Sequence, residues 1–149
     1  MTPGPRPQAV VLDTNVALAL WLFRDARLNL LHAALRDGSL LWLQTRATQD
    51  ELLHEIRPER CARFGLDRAD VLAAVEGVPA RVCNAAPTCL VDFPRLRCSD
   101  PDDQVFIDLA LAERAAWLLT RDKALLKLRH RARQHGLCIV EPQAWRGTV

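Results

Sequence analysis

The residues of this chain best suited to chemistry are acids placed at the ends of apolar runs. Asp13 follows Val10-Val11-Leu12 directly and is itself followed by Thr14 and Asn15. Asp100, Asp102 and Asp103 surround Pro101, just ahead of a long apolar stretch. Asp122 follows Trp117–Thr120 through Arg121. A fourth acid is available after Leu40–Leu43, where Asp50, Glu51 and Glu55 all qualify by position. Leu52, Leu53 and Ile56 define the apolar face there and Glu51 lies off it, so periodicity leaves the choice open. Hard divalent cations such as Mg²⁺ and Mn²⁺ take oxygen ligands, commonly a few carboxylates plus water. Carboxylates crowded together without a cation repel one another. The same residues also make good helix starts. Asp100-Pro101-Asp102-Asp103 has Asp at the cap, Pro at the first helical position and acids in the first turn. Asp122 ahead of Lys123-Ala124-Leu125 is another cap.

Other chemistries are poorly served. His32, His54, His130 and His135 show no HxxxH or HExxH spacing, and they read as surface residues. The five cysteines (Cys61, Cys83, Cys89, Cys98, Cys138) are odd in number and form no CxxC pair. They read as reduced thiols of a cytosolic protein, not as a disulfide frame or zinc site. No GxGxxG supports a dinucleotide site. A receiver-like phospho-acceptor would need two adjacent acids after the first strand, and Asp13 is followed by Thr14 and Asn15.

The elements that position the acids follow from the apolar pattern. Val10–Leu12, Leu40–Leu43, Trp117–Thr120 and Leu137–Val140 read as short buried strands. A further strand fits either Arg81–Cys83 or Leu96–Cys98. Helices are predicted over Val16–Phe23, from a cap at Asp25 to a stop at Gly38, over Thr45–Ile56 ahead of Pro58, and over about Asp67–Gly77. The helix opened by Ser99–Asp103 carries Val105, Phe106, Leu109, Ala110 and Ala112 on one side and Ile107 and Leu111 on the other. It is therefore central and buried. A basic helix is expected from Asp122 to His135. Alternating strands and helices predict an α/β three-layer sandwich with a mainly parallel sheet. In such a sheet, ligands bind at the carboxyl ends of the strands, where the strand order reverses. Asp13 and Asp122 fall at such ends. The 149 residues suit one domain over residues 9–149, behind a disordered Pro-rich lead over residues 1–8. The lead has no apolar core of a signal peptide, and the apolar run Val16–Phe23 is too short to span a bilayer. Trp21, Trp42, Trp117 and Trp145 are expected in the core or an interface. No aromatic interleaving of basic residues suggests base stacking.

The order and spacing of these motifs resemble the PIN-domain ribonucleases, in particular bacterial toxins of the VapC type. The resemblance runs from about Ala9 to Val140. It is carried by Val-Val-Leu-Asp13-Thr14-Asn15, Asp50-Glu51-Leu-Leu, Asp100-Pro-Asp-Asp103 with Phe106 and Ala110-Leu-Ala112, and Leu-Leu-Thr120-Arg-Asp122-Lys-Ala-Leu-Leu. It implies a metal-dependent endoribonuclease with a central parallel sheet, often dimeric and often held inactive by a cognate antitoxin. It also implies an acidic quartet of Asp13, Glu51, Asp103 and Asp122 as catalytic and metal-binding residues, supported by Thr14, Asn15, Thr120 and Asp100. Asp103 is preferred to Asp102 because it stands seven residues before Ala110. Where some relatives carry a further acid, this chain has Ala124.

The reaction implied is hydrolysis of an RNA phosphodiester with Mg²⁺ or Mn²⁺. A bound cation lowers the pKa of a water and offsets charge on the leaving group. Substrate phosphates need cations, and Arg121, Lys123 and Lys127 are the candidates nearest the acids. Arg129, Arg131, Arg133 and His130 lie further along, and Arg57, Arg60 and Arg63 form a second group. The competing expectation is a degenerate PIN module that binds RNA or protein without cutting, motivated by Ala124 and the unsettled glutamate. The scattered cysteines, with no signal peptide or spanning segment read, predict a cytoplasmic protein with no membrane partner.

Overall fold

The computed structural model describes residues 6–84 and 96–147. Pro87, Cys89 and Pro94 lie outside the described residues, as does most of the Pro-rich lead. Gln8 already opens the first strand. The strands are β1 (Gln8–Leu12), β2 (Leu40–Thr45), β3 (Ala80–Cys83), β4 (Trp117–Leu119) and β5 (Cys138–Val140). They form one sheet in the order β3-β2-β1-β4-β5, and every pairing is parallel. Parallel neighbours require crossover connections, and the helices provide them. These are α1 (Thr14–Trp21), α2 (Asn29–Asp37), α3 (Arg46–Glu55), α4 (Pro58–Arg63), α5 (Arg68–Glu76), α6 (Gln104–Ala112), α7 (Lys123–Leu126) and α8 (Arg129–Arg133). The result is a three-layer α/β sandwich.

Side-chain alternation along β1 divides the core in two. Val10 and Leu12 face one layer, where α1, α2 and α3 cover the sheet together with Trp42, Trp117 and Leu119. Val11 faces the other, with Leu43, Leu118, Ile139 and α6. α1 buries Val16 through Trp21 without interruption, and α6 buries Phe106, Ile107, Leu109, Ala110 and Leu111. Each therefore lies across the middle of the sheet. All four tryptophans are core residues: Trp21 stacks on Trp42 at 5.0 Å, and Trp117 meets Trp145 edge-on at 6.3 Å.

The strand order reverses at β1. The chain steps outward from β1 through β2 to β3, then crosses to β4 and β5 on the other side. Leu12 pairs with Leu119, so the residues just beyond them, Asp13 and Thr120, are neighbours at the carboxyl edge. This is the switch point at which open α/β sheets bind ligands.

One local expectation is corrected, one choice is decided and one is extended. The strand of the two alternatives is β3; Leu96–Cys98 is not a strand. The Gln104 side chain takes the place of a strand partner there: it accepts from the Cys98 N–H at 2.7 Å and donates to the Leu96 carbonyl at 2.7 Å. The basic helix to His135 is two short helices, α7 and α8, separated at Lys127 and Leu128. Pro58 does limit α3, but it also opens α4 as its first residue, where a missing N–H costs nothing.

Candidate metal centre

Each acid reaches the carboxyl edge for a local reason. Asp13 ends β1 and caps α1, its Oδ1 accepting from the Val16 N–H at 2.8 Å. Asp100 caps the short 3-10 turn of Pro101–Asp103, accepting from the Asp102 N–H at 3.0 Å. Asp122 caps α7 and accepts from the Ala124 N–H at 2.7 Å. Helix cap and metal ligand are therefore compatible roles here, because the cap hydrogen bond to Asp100 or Asp122 uses only one carboxylate oxygen. Thr45 caps α3 through a reciprocal pair with Thr48, which sets Glu51 in the second turn facing the same cleft.

One buried hydroxyl ties the centre together. Thr120, with no exposed surface, donates to Asp13 Oδ2 and accepts the Asp122 N–H at 2.9 Å. The acid after β1 and the acid after β4 are thus joined through one side chain.

The tightest group is Asp100, Asp103 and Asp122, each with a carboxylate oxygen within 4.8 Å of the others. Asp13, Glu51, Asp103 and Asp122 line one cleft of about 180 Å³ with Thr14, Asn15, Glu55, Arg60 and Phe106. All four acids of the expected quartet therefore meet, and Asp100, expected only as support, stands in the inner group. Asp102 is exposed and outside it. Of the three acids that competed on α3, Glu51 and Glu55 line the cleft and Asp50 does not.

The electrostatics are those of a site short of positive charge. Burial, then the Asp122 carboxyl and the charges of Asp122, Asp100 and Asp13, push Asp103 up to about 7. Asp103 Oδ2 is buried and has no hydrogen-bond partner. Asp13 is only 4% exposed, and burial raises its pKa against the opposing hydrogen bonds from Thr120 and Val16. Buried polar groups are almost always partnered. An orphaned carboxylate oxygen among other carboxylates is what an oxygen-preferring divalent cation would satisfy, so these residues fit such an ion.

The cations fall differently from expectation. Lys123 and Lys127 are exposed and make no ion pair among the described residues. Arg121, expected at phosphate, is held elsewhere. Its guanidinium donates to Asp25 Oδ2 at 2.8 Å and to Gln143 Oε1 at 3.2 Å. Arg27, then Arg121, hold the Asp25 carboxyl well below the usual carboxylate range. Arg60, expected in the second basic group with Arg57 and Arg63, lines the cleft and pairs with Glu55. The available signal was Pro58, which opens α4 and places Arg60 five residues beyond Glu55, its ion-pair partner.

No described helix is long and apolar enough to cross a membrane. No curated protein matches the sequence. A solved structure, VapBC2 from Rickettsia felis bound to a DNA fragment from its promoter, shares the fold. The TM-score is 0.60 at 13% identity, over 88% of this chain and 96% of that one. The PIN domain family (PIN_3) is matched over residues 9–124, from the first strand through the last acid of the cleft. Sequence match, parallel-sheet topology and acids gathered at the switch point agree: the chain belongs to the PIN-domain family.

Proposed function

We propose that this chain is a divalent-metal-dependent endoribonuclease and the toxin of a toxin–antitoxin pair. The observation that carries the reading is the partnerless, buried Asp103 oxygen set against Asp100 and Asp122. Asp13, Asp103 and Asp122 would hold Mg²⁺ or Mn²⁺, with Asp100 in the inner group and Glu51 closing the cleft from α3. Bound there, the cation supplies Lewis acidity and a water of lowered pKa. The chain's own contribution is rigidity. Thr120 and the Val16 N–H each take one lone pair on the two oxygens of Asp13, and the Ala124 N–H takes one on Asp122, so the carboxylates are held in place and their remaining lone pairs are presented without reorganisation. Glu51, exposed and outside the inner group, is assigned the role of taking a proton from an attacking water.

Lys123, at the start of α7, and Lys127, just beyond its end, are assigned to substrate phosphates. Arg129, His130 and Arg133 line a groove of about 440 Å³ further along and would extend the same track. Arg121 is assigned to holding the Asp122 loop through Asp25. A cognate antitoxin is the expected partner and the cytoplasm the expected compartment; association into a homodimer is part of the same reading.

The test is cleavage of structured RNA by purified protein with Mn²⁺ or with EDTA, beside Asp103→Asn, with Mn²⁺ binding followed separately by electron paramagnetic resonance. Cleavage and tight Mn²⁺ binding that both need Asp103 support the reading. Cleavage that survives EDTA and the substitution sinks it. Mn²⁺ bound through Asp103 without cleavage of any RNA would favour a binding module.

A further inference from the structure

We propose that Phe23 and Phe64 form a stacking platform for an unpaired RNA base at the mouth of the acidic cleft, with Arg60 bridging platform and cleft. This rests on the ribonuclease reading and adds to it the residues that would hold a base. The two phenyl rings stand 5.1 Å apart at 58°, one beyond the end of α1 and one at the end of α4. They are 43% and 47% exposed, whereas Phe106 and all four tryptophans are buried. Among the described phenylalanine and tryptophan side chains they are the only two offered to solvent, and the chain has no tyrosine. Arg60 connects them to the acids. It lines the cleft with Asp13, Asp103 and Asp122, is held by Glu55, and sets its guanidinium carbon 5.7 Å from the centre of the Phe23 ring.

The backbone holds this arrangement. Arg24 adopts φ +51°, in the left-handed region usually left to glycine at a helix end. The Asp25 N–H then reaches the Ala19 carbonyl at 2.9 Å, ending α1 and leaving Phe23 outside the core. Around the rings the chain is basic: Arg24 follows Phe23, Arg63 precedes Phe64, and both are exposed, as is Arg57. Two half-exposed phenyls offer on the order of 200 Å². A stable protein interface needs about 800 Å² on each side. Planar rings set among guanidinium groups suit a polyanion with unstacked bases, since every base has a face to stack and every phosphate a charge to pair.

The test measures affinity of the full chain for a labelled random-sequence single-stranded RNA, by anisotropy in EDTA, so that cleavage plays no part. The double variant Phe23→Leu, Phe64→Leu keeps apolar bulk and removes the ring faces. Its binding is expected to weaken about tenfold with the salt slope unchanged, while Arg60→Gln flattens that slope. Phe64→Leu alone, at a surface position, should weaken binding in the same direction, and the parent should bind a duplex of equal length more weakly than the single strand. Parent-like binding by the double variant, no RNA binding by the parent, or no preference for the single strand overturns the proposal. So does a parent that self-associates in sedimentation while the double variant does not and still binds RNA, because the rings would then belong to a protein contact. Ring-dependent binding without any metal-dependent cleavage would leave the platform standing and overturn the nuclease reading instead.

Discussion

Replacing Thr120 by valine tests the idea that a single hydroxyl couples the two strand-end acids. Valine matches threonine in shape and offers neither donor nor acceptor. Two interactions go at once: the donation to Asp13 Oδ2 and the acceptance of the Asp122 N–H at 2.9 Å. Thr120 is fully buried and Asp13 nearly so, so water cannot replace the hydroxyl. A buried polar group left without its partner costs about 1–3 kcal/mol, more when charged. Asp13 can limit its share by taking a proton, since burial already raises its pKa. The expected loss is therefore about 2–4 kcal/mol at neutral pH, or about 5–15 °C in Tm for a domain of this size. Removing a hydrogen bond to the ionised carboxylate penalises that form, so the loss should be larger near pH 7 than near pH 4. Thermal and urea unfolding followed by circular dichroism in EDTA would read both. In an Asp13→Asn background, which has no charge to stabilise, the same replacement should cost only about 1 kcal/mol. A loss below about 0.5 kcal/mol, or one independent of both pH and Asp13, would refute the coupling.

Asp103→Asn should stabilise the metal-free protein. The folded-state pKa of Asp103, about 7, lies above its unfolded value, so its ionisation penalises the fold progressively as pH rises from about 4 to about 7 and fully above that. After allowance for solvent screening, the variant should gain about 1–2 kcal/mol near pH 8 and nothing near pH 4; a loss at pH 8 in EDTA would contradict the proposed crowding. Protons compete for the same oxygens, so the rise in Tm on adding Mn²⁺ should be larger near pH 8 than near pH 6 in the parent and absent in the variant. For RNA binding, Lys127→Gln should lower the salt slope by about 0.7, the value for one phosphate contact on a single strand, while Arg121→Gln should leave it unchanged because its guanidinium is taken up by Asp25 and Gln143. Equal effects of the two would show that Arg121 leaves Asp25 when RNA arrives.

Much of this protein is set by local sequence. Short apolar runs make the strands, and after three of them an acid or threonine caps the following helix: Asp13 for α1, Thr45 for α3, Asp122 for α7. Alternation of the two element types leads to a parallel sheet, because parallel neighbours need crossovers and the helices supply them. A parallel sheet aligns every strand end on one edge, so the convergence of Asp13 and Asp122 was legible before any coordinate. What followed only from the tertiary structure depends on direction, and direction comes from contacts between distant residues. Asp100 joins the inner carboxylates although its sequence reads as a cap, because the 3-10 turn it caps lies beside the β4 end. Glu51 and Glu55 face the cleft while Asp50 does not, a choice made by how α3 packs, since all three lie on one helix. Gln104 substitutes for a strand at Leu96–Cys98, which a run of β-formers cannot reveal. Arg121 stands next to a ligand in sequence yet turns to Asp25, and Phe23 meets Phe64 only because α1 and α4 end at the same place. Spacing along the chain specifies which residues share an edge; packing between elements specifies which of them touch.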